Sequence, residues 1–488
     1  MGEGLDMLLL ALYGGSLVFL FLYSLVQFQL TLLYLFKKQH SKCTAALSTF
    51  PTVTVQLPLY NEKYVVERLL TAVGALKYPK EKLQILVLDD STDETVNLVA
   101  TNVKALEEAG LTIEHVRRQT RQGYKAGALQ DALSKSTGEF ICIFDADFVP
   151  NSDFLQKALP YFAHKDIGVV QTRWGHLNKD YSWLTRLQAF GLDAHFTVEQ
   201  GARNSGGHFI NFNGTAGIWR KETILSAGGW HHDTLTEDLD LSYRAQLKGW
   251  QFVYVENLAV PAELPVTMPA LKSQQYRWTK GAAETARKHL KNVLASSKSW
   301  STKWLATFHL LNSSVFLAVL LAALLSVPVM VIREDYPGLQ AWFAASSVFK
   351  ASLLILGLFY FTAERKLYAQ SKNIFTFPLR FLLFLTMSLG LSLHNSVAVL
   401  EGLSGRKTPF VRTPKFNLDT TTTSSWRQRH YQLSRLSWVT WAEGVLCLYF
   451  AGAVVMAFWS GDFGFLAYHV LLCLGFGLVF GYSLRHHR

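Results

Sequence analysis

Asp145, Ala146 and Asp147 follow the apolar run Phe140-Ile141-Cys142-Ile143-Phe144. Side chains alternate along a strand, so two carboxylates one residue apart at a strand end share a side. Such a pair can hold Mg2+ or Mn2+ against a pyrophosphate, the cation offsetting charge on a departing nucleotide. Alone, the triplet reads better as a helix cap plus a loop acid; its place at a strand end and its companions reverse that. Thr236-Glu237-Asp238 stands before a helical stretch, where a carboxylate suits a general base that takes a hydroxyl proton as a bond forms. Gln274, Arg277 and Trp278 occupy i, i+3 and i+4 and share one helix face. A guanidinium binds diphosphate oxygens, and an indole is a flat platform for a sugar ring.

The elements that must position these groups are legible between residues 50 and 300. Val53 to Pro58 reads as a first strand ending in Leu59-Tyr60-Asn61-Glu62, and a helix follows through Val65, Leu69 and Val73. Leu83 to Leu88 is a second strand ending in Asp89-Asp90-Ser91-Thr92-Asp93, a cluster that also caps the next helix. Ile113 to Val116 is a short third strand, Gly127 to Leu133 a helix and Phe140 to Phe144 the fourth strand. Strands alternating with helices predict an open α/β domain with a mostly parallel, Rossmann-like sheet. Ligands bind such sheets outside the carboxyl ends of the strands. Asp90, with Asp89, is therefore placed to hold a base or ribose. Arg121 and Lys125 are placed to meet phosphate or base, and Phe212-Asn213-Gly214-Thr215-Ala216-Gly217 is a small-residue loop fit to line a sugar pocket. The dinucleotide G-x-G-x-x-G fingerprint and the P-loop lysine are both missing, which weighs against hydride transfer and ATP hydrolysis.

Hydrophobic residues make up 50% of the 488 and charged residues 17%. That is too apolar for an ordinary soluble enzyme. The apolar residues gather at the two ends, in five runs long enough to span a bilayer: 7–36, 304–332, 341–362, 437–459 and 464–485. The run 375–402 is flanked by basic residues on both sides and reads as an interfacial helix. The predicted domains are an N-terminal transmembrane helix (1–40), a cytosolic α/β domain (41–300) and a helical membrane domain (301–488). Positive-inside logic puts the N-terminus on the non-cytosolic side and the C-terminus in the cytosol. The formal charge of +11 sits largely in juxtamembrane segments and fits contact with anionic lipid. No zinc pattern or basic helix points to nucleic acid. Cys43, Cys142, Cys447 and Cys473 are too scattered for a disulfide framework.

With those residues in place, the chain resembles the processive, cellulose-synthase-like members of the family 2 glycosyltransferases. It shows their D, D, D, Q-x-x-R-W signature as Asp90, Asp145/Asp147, Asp238 and Gln274-x-x-Arg277-Trp278. Gln171-Thr172-Arg173-Trp174, Phe212 to Gly217 and Gly228-Gly229-Trp230 look like the glucomannan and glucan synthases. The resemblance implies a GT-A fold, an inverting mechanism and a β-linked product made from UDP-glucose or GDP-mannose. It implies that Asp238, within Thr236-Glu237-Asp238, is the general base, and that Asp145 and Asp147 serve donor and Mg2+ or Mn2+. Donor contacts are expected from Pro58, Tyr60, Glu62, Asp89, Asp90, Arg121, Lys125, Asp145, Gln274 and Arg277. Acceptor contacts are expected from Trp278, Gly214, Thr215 and Thr236.

The family's gating loop, F-x-V-T-x-K, is matched by Phe410-Val411-Arg412-Thr413-Pro414-Lys415 within 403–436, with Arg412 where valine is expected. Phe410, Thr413 and Lys415 are the residues that carry that likeness. One N-terminal span is expected, and no regulatory domain after the last span. A single-addition enzyme acting on diacylglycerol or ceramide is the alternative to a glycan polymerase. The residues leave the oligomeric state open.

Overall fold

The computed structural model describes residues 3–37, 49–336, 338, 347–368, 375–418, 426 and 436–487. Its centre is a seven-stranded sheet in the order β3-β2-β1-β4-β6-β5-β7. The strands are β1 (Val53–Leu59), β2 (Leu83–Asp89), β3 (Thr112–Val116), β4 (Phe140–Ile143), β5 (Ile167–His176), β6 (Gly217–Arg220) and β7 (Gln251–Ala262). β6 alone runs against the rest. The expected parallel half is present as β3-β2-β1-β4. The sequence alone leaves β5 to β7 unassigned.

The apolar strands are buried on both faces, as strands of a covered parallel sheet must be. Along β2, Ile85 and Val87 face a core that includes Leu69, Val73 and Val99 of the helices Val66–Gly74 and Thr95–Glu108. Leu86 and Leu88 face the opposite core, with Leu129, Trp219 and Leu241. The period of two sorts one strand between two layers.

β6 matters for the site because it starts at the edge where its neighbours end: Gly217 pairs with Ile143. The loop before β6, Asn213 to Ala216, is thereby delivered to the carboxyl edge of the sheet.

Among the described residues, four single helices are long and apolar enough to cross a membrane, Glu3–Phe36, Ser314–Arg333, Trp438–Ser460 and Leu466–Arg485, and the bent pair Phe377–Gly390 and Ser392–Ser404 would make a fifth if taken as one span. The expected span 304–332 is divided, because Trp300–Leu310 is a separate helix. The expected span 341–362 begins outside the described residues. Its described part lies in Ala351–Tyr368, whose last turns carry Glu364, Arg365 and Lys366, and it is not among the four. The run read as one interfacial helix is two, Phe377–Gly390 and Ser392–Ser404, bent by 50°. The second of these lies on the long helix Met268–Ala295. His394 Nε2 is 2.8 Å from the carbonyl of Lys272, and Tyr276 donates to Glu401. Lys272 in turn pairs with Glu443 at 2.8 Å, tying the same helix to the span Trp438–Ser460.

Candidate active site

β4 stops at Ile143, so Asp145 and Asp147 sit in the turn beyond it, not on alternating strand positions. The strand-period argument for their common side therefore does not apply; the turn brings both to the same cleft. Lys125 Nζ donates to Asp145 Oδ1 at 2.5 Å and to the Gly214 carbonyl at 2.9 Å. Lys415 Nζ donates to Asp147 Oδ2 at 2.6 Å and to the Glu263 carbonyl at 3.0 Å. Each carboxylate thus faces its own ammonium. Thr215 does not line the cleft. It is buried, and its hydroxyl accepts from the Asp145 backbone N–H at 2.9 Å, which makes it a support for that turn.

The two acids ending β2 separate. Asp90 lines the cleft and is gripped by Arg118, whose Nε and Nη2 reach Oδ1 and Oδ2 at 3.0 and 2.5 Å. Asp89 turns into the interior, a correction to its expected donor contact. Its Oδ1 accepts from the Ser91 N–H and its Oδ2 lies 2.9 Å from His115 Nε2. Burial acts to raise its pKa, but the bonds from His115 and Ser91 outweigh that and hold it low. The start of the following helix is tied by Asp93, which accepts from Thr95 N–H at 3.0 Å.

Glu237 and Asp238 open the helix Glu237–Leu247. Burial raises the Asp238 carboxyl to about 7, assisted by the Glu237 charge and opposed by Lys125. Burial raises Glu237 as well, with Lys125 again opposing. A carboxyl poised near neutrality is what general-base work at cellular pH asks for. Thr236 lines the cleft at the N-cap position, yet its hydroxyl makes no capping bond and faces Thr285 Oγ1 at 3.2 Å.

Two glycines let this turn fit. Gly214 has φ +79°, and a Cβ there would meet Asp238 Oδ2 at 3.1 Å; a Cβ on Gly281 would meet Thr236 Cγ2 at 2.5 Å. Gly281 lies on the same helix as the Q-x-x-R-W residues, so the close approach brings that helix onto the Thr236-Glu237-Asp238 turn.

Gln274, Arg277 and Trp278 project from Met268–Ala295 into the cleft, one helix face as the spacing predicts. Arg277 Nη2 donates to Thr413 Oγ1 at 2.8 Å. Its guanidinium lies 4.7 Å from the centroid of Phe410, and Arg121 flanks the same ring at 5.7 Å while covering Tyr60 at 3.3 Å. Burial lowers the pKa of both arginines. Phe410, Thr413 and Lys415 thus all enter the cleft, and Pro58, Tyr60 and Glu62 line it as well. Arg412, the departure from the family pattern, pairs with Glu62 at 3.6 Å and donates to the carbonyls of Tyr60 and Asn61. Burial raises Glu62 to about 8, although Arg412 opposes this.

The cleft encloses about 1320 Å³, including space open to solvent. A second cavity of about 1210 Å³, again including space open to solvent, is lined in part by apolar helices and shares Leu192, Gln274 and Trp278 with it. Asp145 and Asp147 offer oxygen ligands only, the donor set that suits Mg2+ or Mn2+ completed by phosphate and water. A second acid-rich group, His231, Asp233 and Asp240, is close enough to ligate. Asp240 is paired with Arg244, Lys288 and His289 at 2.7–2.8 Å, and this group lies outside the cleft that gathers the sequence-predicted residues.

Sequence reasoning missed Arg118 and Glu263. Arg118 reads as a surface base beside Arg117. Glu263 follows β7 and could have been found by the strand-end rule had β7 been assigned; it accepts from the Phe416 and Leu418 N–H groups at 2.6 and 3.2 Å and so seats the loop.

Residues 51–281 match the family described as glycosyltransferase-like family 2. A probable glucomannan 4-beta-mannosyltransferase 4 of Oryza sativa subsp. japonica is 45% identical over 284 residues, 57% of this chain and 51% of the relative. Glucomannan 4-beta-mannosyltransferase 2 of Arabidopsis thaliana is 43% identical over 270 residues, 54% of this chain and 51% of the relative. The chain spans about half the length of the curated relatives it matches. Among solved structures, the mannosyltransferase PcManGT from Pyrobaculum calidifontis in complex with GDP-Man and Mn2+ aligns with a TM-score of 0.51 at 20% identity, over 76% of this chain and 99% of that one. That likeness concerns the fold, a GT-A-like domain. Over residues 51–281, a little under half of the chain, the sequence is similar to the family 2 glycosyltransferases.

Proposed function

We propose that the chain is an inverting mannosyltransferase, embedded in a membrane with its α/β domain on the cytosolic side. It moves mannose from GDP-mannose to the non-reducing end of a growing β-linked glycan. The carrying observation is the meeting of Asp90, Asp145, Asp147, Asp238, Arg277 and Trp278 in one cleft, from segments far apart in sequence. The names of the rice and Arabidopsis relatives support the sugar, and the archaeal mannosyltransferase, solved with GDP-Man and Mn2+, supports the donor and a divalent cation. The second cavity, which shares Leu192, Gln274 and Trp278 with the cleft, favours a polymer over a single glycolipid addition, since a lengthening chain needs a path onward.

In this reading Asp90, fixed by Arg118, holds the nucleoside. Lys125 and Arg277 face the diphosphate, and Asp145 and Asp147 would hold Mg2+ or Mn2+. When bound, that cation supplies a Lewis acid that steadies the leaving nucleoside diphosphate. Trp278 supports the acceptor sugar. Asp238 takes the proton of the acceptor hydroxyl as the new bond forms on the face opposite the leaving group. Lys415, Arg412 and Phe410 close over the donor.

The test is to incubate membranes carrying the full chain with labelled GDP-mannose and Mn2+, separate lipid from polymer, and digest the polymer with a β-mannanase. Mannanase-sensitive polymer is expected. Label confined to the lipid fraction, or incorporated only from UDP-glucose, would overturn this reading.

A further inference from the structure

Where Trp183–Ala194 runs into Gln200–Gly206, the helix widens into a π turn, His195–Glu199. Such turns recur at functional sites because they re-aim side chains. Here the turn points His195 and Glu199 at the second cavity. Glu199 is buried, and its two oxygens are divided. Oε2 lies 2.9 Å from His195 Nδ1, and Oε1 accepts from Arg203 at 3.1 Å. Arg203 is itself buried and donates to the Leu305 carbonyl. The imidazole is thereby fixed through Nδ1, leaving Nε2 as its ligand-facing atom. That Nε2 lies 3.5 Å from Asn213 Oδ1, the outer limit of a hydrogen bond. The side chain of His195 is 28% exposed.

The surroundings ask for a hydroxylated ligand. Gln27 Oε1, Gln188 Oε1, Ser313 Oγ and both amide atoms of Asn395 belong to residues that line this cavity. All are buried without a hydrogen-bond partner among the described residues. Asn213 Nδ2, at the floor of the catalytic cleft, is in the same condition. Buried polar atoms are costly unless something pairs them. Trp278, Phe316 and Tyr360 line the same cavity. Aromatic rings together with hydrogen-bonding groups are the chemistry that recognises a hexose chain.

We propose that His195, oriented by Glu199 and Arg203, is a positioning residue for the acceptor glycan. Its Nε2 bonds a hydroxyl of the sugar lying past Trp278, and so fixes the terminal hydroxyl at Asp238. A sugar hydroxyl both donates and accepts, so the contact serves either protonation state of the ring. The proposal rests on the transferase reading for the direction in which the glycan enters. The sugar-binding site itself stands on the cavity.

The experiment measures binding apart from transfer. The full chain in lipid nanodiscs is titrated with a short β-linked manno-oligosaccharide, and transfer from GDP-mannose is followed on the same samples. His195→Ala should weaken oligosaccharide binding by about tenfold, the loss of one good hydrogen bond, with donor binding within about twofold. His195→Gln, whose amide reaches the place of Nε2, should restore most of the affinity. Glu199 keeps its Arg203 partner in both variants, so folding should survive. Oligosaccharide binding that is unchanged in His195→Ala, or absent from the parent chain, overturns the proposal. So does an equal loss of donor affinity. Oligosaccharide binding that depends on His195 in a chain that transfers nothing from any donor would sustain the site and remove the transferase reading instead.

Discussion

Asp145 and Asp147 stand two residues apart and each is neutralised by a lysine, yet the lysines come from different kinds of place. Lys125 belongs to a helix packed on the sheet, within one domain with its partner and also 4.0 Å from Glu237. Lys415 arrives on a loop 268 residues away in sequence. The first contact is built by folding the α/β domain. The second exists only while the loop is seated, by Arg412 on the end of β1, by Thr413 on Arg277 and by Glu263 on the loop backbone. One half of the site is permanent scaffold and the other half is delivered. The delivered half carries Phe410, whose ring lies against both Arg121 and Arg277.

The sharpest break in the permanent half is Asp238→Asn. It keeps the shape and removes the base, so transfer should fall by about 10²–10⁴. Binding of GDP-mannose, followed by calorimetry, should change little. A normal rate would remove Asp238 from the chemistry.

The comparison itself is tested by Lys125→Met against Lys415→Met. The first leaves Asp145, Glu237 and Asp238 in a half-buried cluster without their ammonium, and stripping the cation from clustered acids is costly. Both Tm and donor affinity should drop. The second strips two contacts, to Asp147 and to the Glu263 carbonyl, from a loop held by several others. The loop can lift and let water reach Asp147, so Tm should drop less than in Lys125→Met. Transfer should fall about tenfold, and protease cleavage near residue 410 should rise. Equal losses of Tm in the two variants would show that the loop is as much scaffold as the helix.

A smaller effect is expected where the long helix meets the permanent half. Gly281→Ala puts a methyl within 2.5 Å of Thr236. The Thr236-Glu237-Asp238 turn must shift or the helix must back away, an overpacking cost of about 1–3 kcal/mol. kcat should suffer more than donor KM, since the displaced group is the base.

The permanent half was also the legible half. β1, β2 and β4 could be read because a short apolar run that ends in a polar cluster fits a buried strand and little else. The strand-end rule then assembled Tyr60, Asp90 and Asp145 without knowledge of register. The rule failed at Asp89, where two adjacent acids had to point to opposite sides and only one could face the cleft. It went unused at Glu263 because β5 to β7 carry less regular patterns: β7 mixes Glu256, Asn257 and Pro261 into its run. The antiparallel β6 is four residues long and invisible by periodicity, though it accounts for Asn213 and Gly214 standing beside Asp238. The loop was readable only by likeness to a family, since nothing in Phe410 to Lys415 says by spacing that it folds over a cleft formed hundreds of residues earlier. His195 and Glu199 lacked a signal for a different reason. An i, i+4 His–Glu pair on a helix is commonplace, and only the π turn and the cavity give it meaning.

The finest probe separates Asp238 from its neighbour. The base works only when ionised, so transfer should decline as pH falls through its raised pKa, near 7, well above the value of about 3.9 for an exposed aspartate. Burial is the larger cause of the rise and the Glu237 charge the next. Glu237→Gln removes that charge and leaves the burial. The acid limb of kcat/KM against pH should therefore move toward lower pH, while remaining above the ordinary carboxylate range. Lys125 opposes the rise, so Lys125→Met should carry the limb the other way. Opposite displacements by the two variants would tie the limb to Asp238 and to the scaffold that surrounds it. Lys415→Met lies outside that set of neighbours and should leave the limb in place. A limb that follows Lys415 and ignores Glu237 would mean that the titration seen in turnover belongs to the seating of the loop, and the division of the site into built and delivered halves would have to be drawn elsewhere.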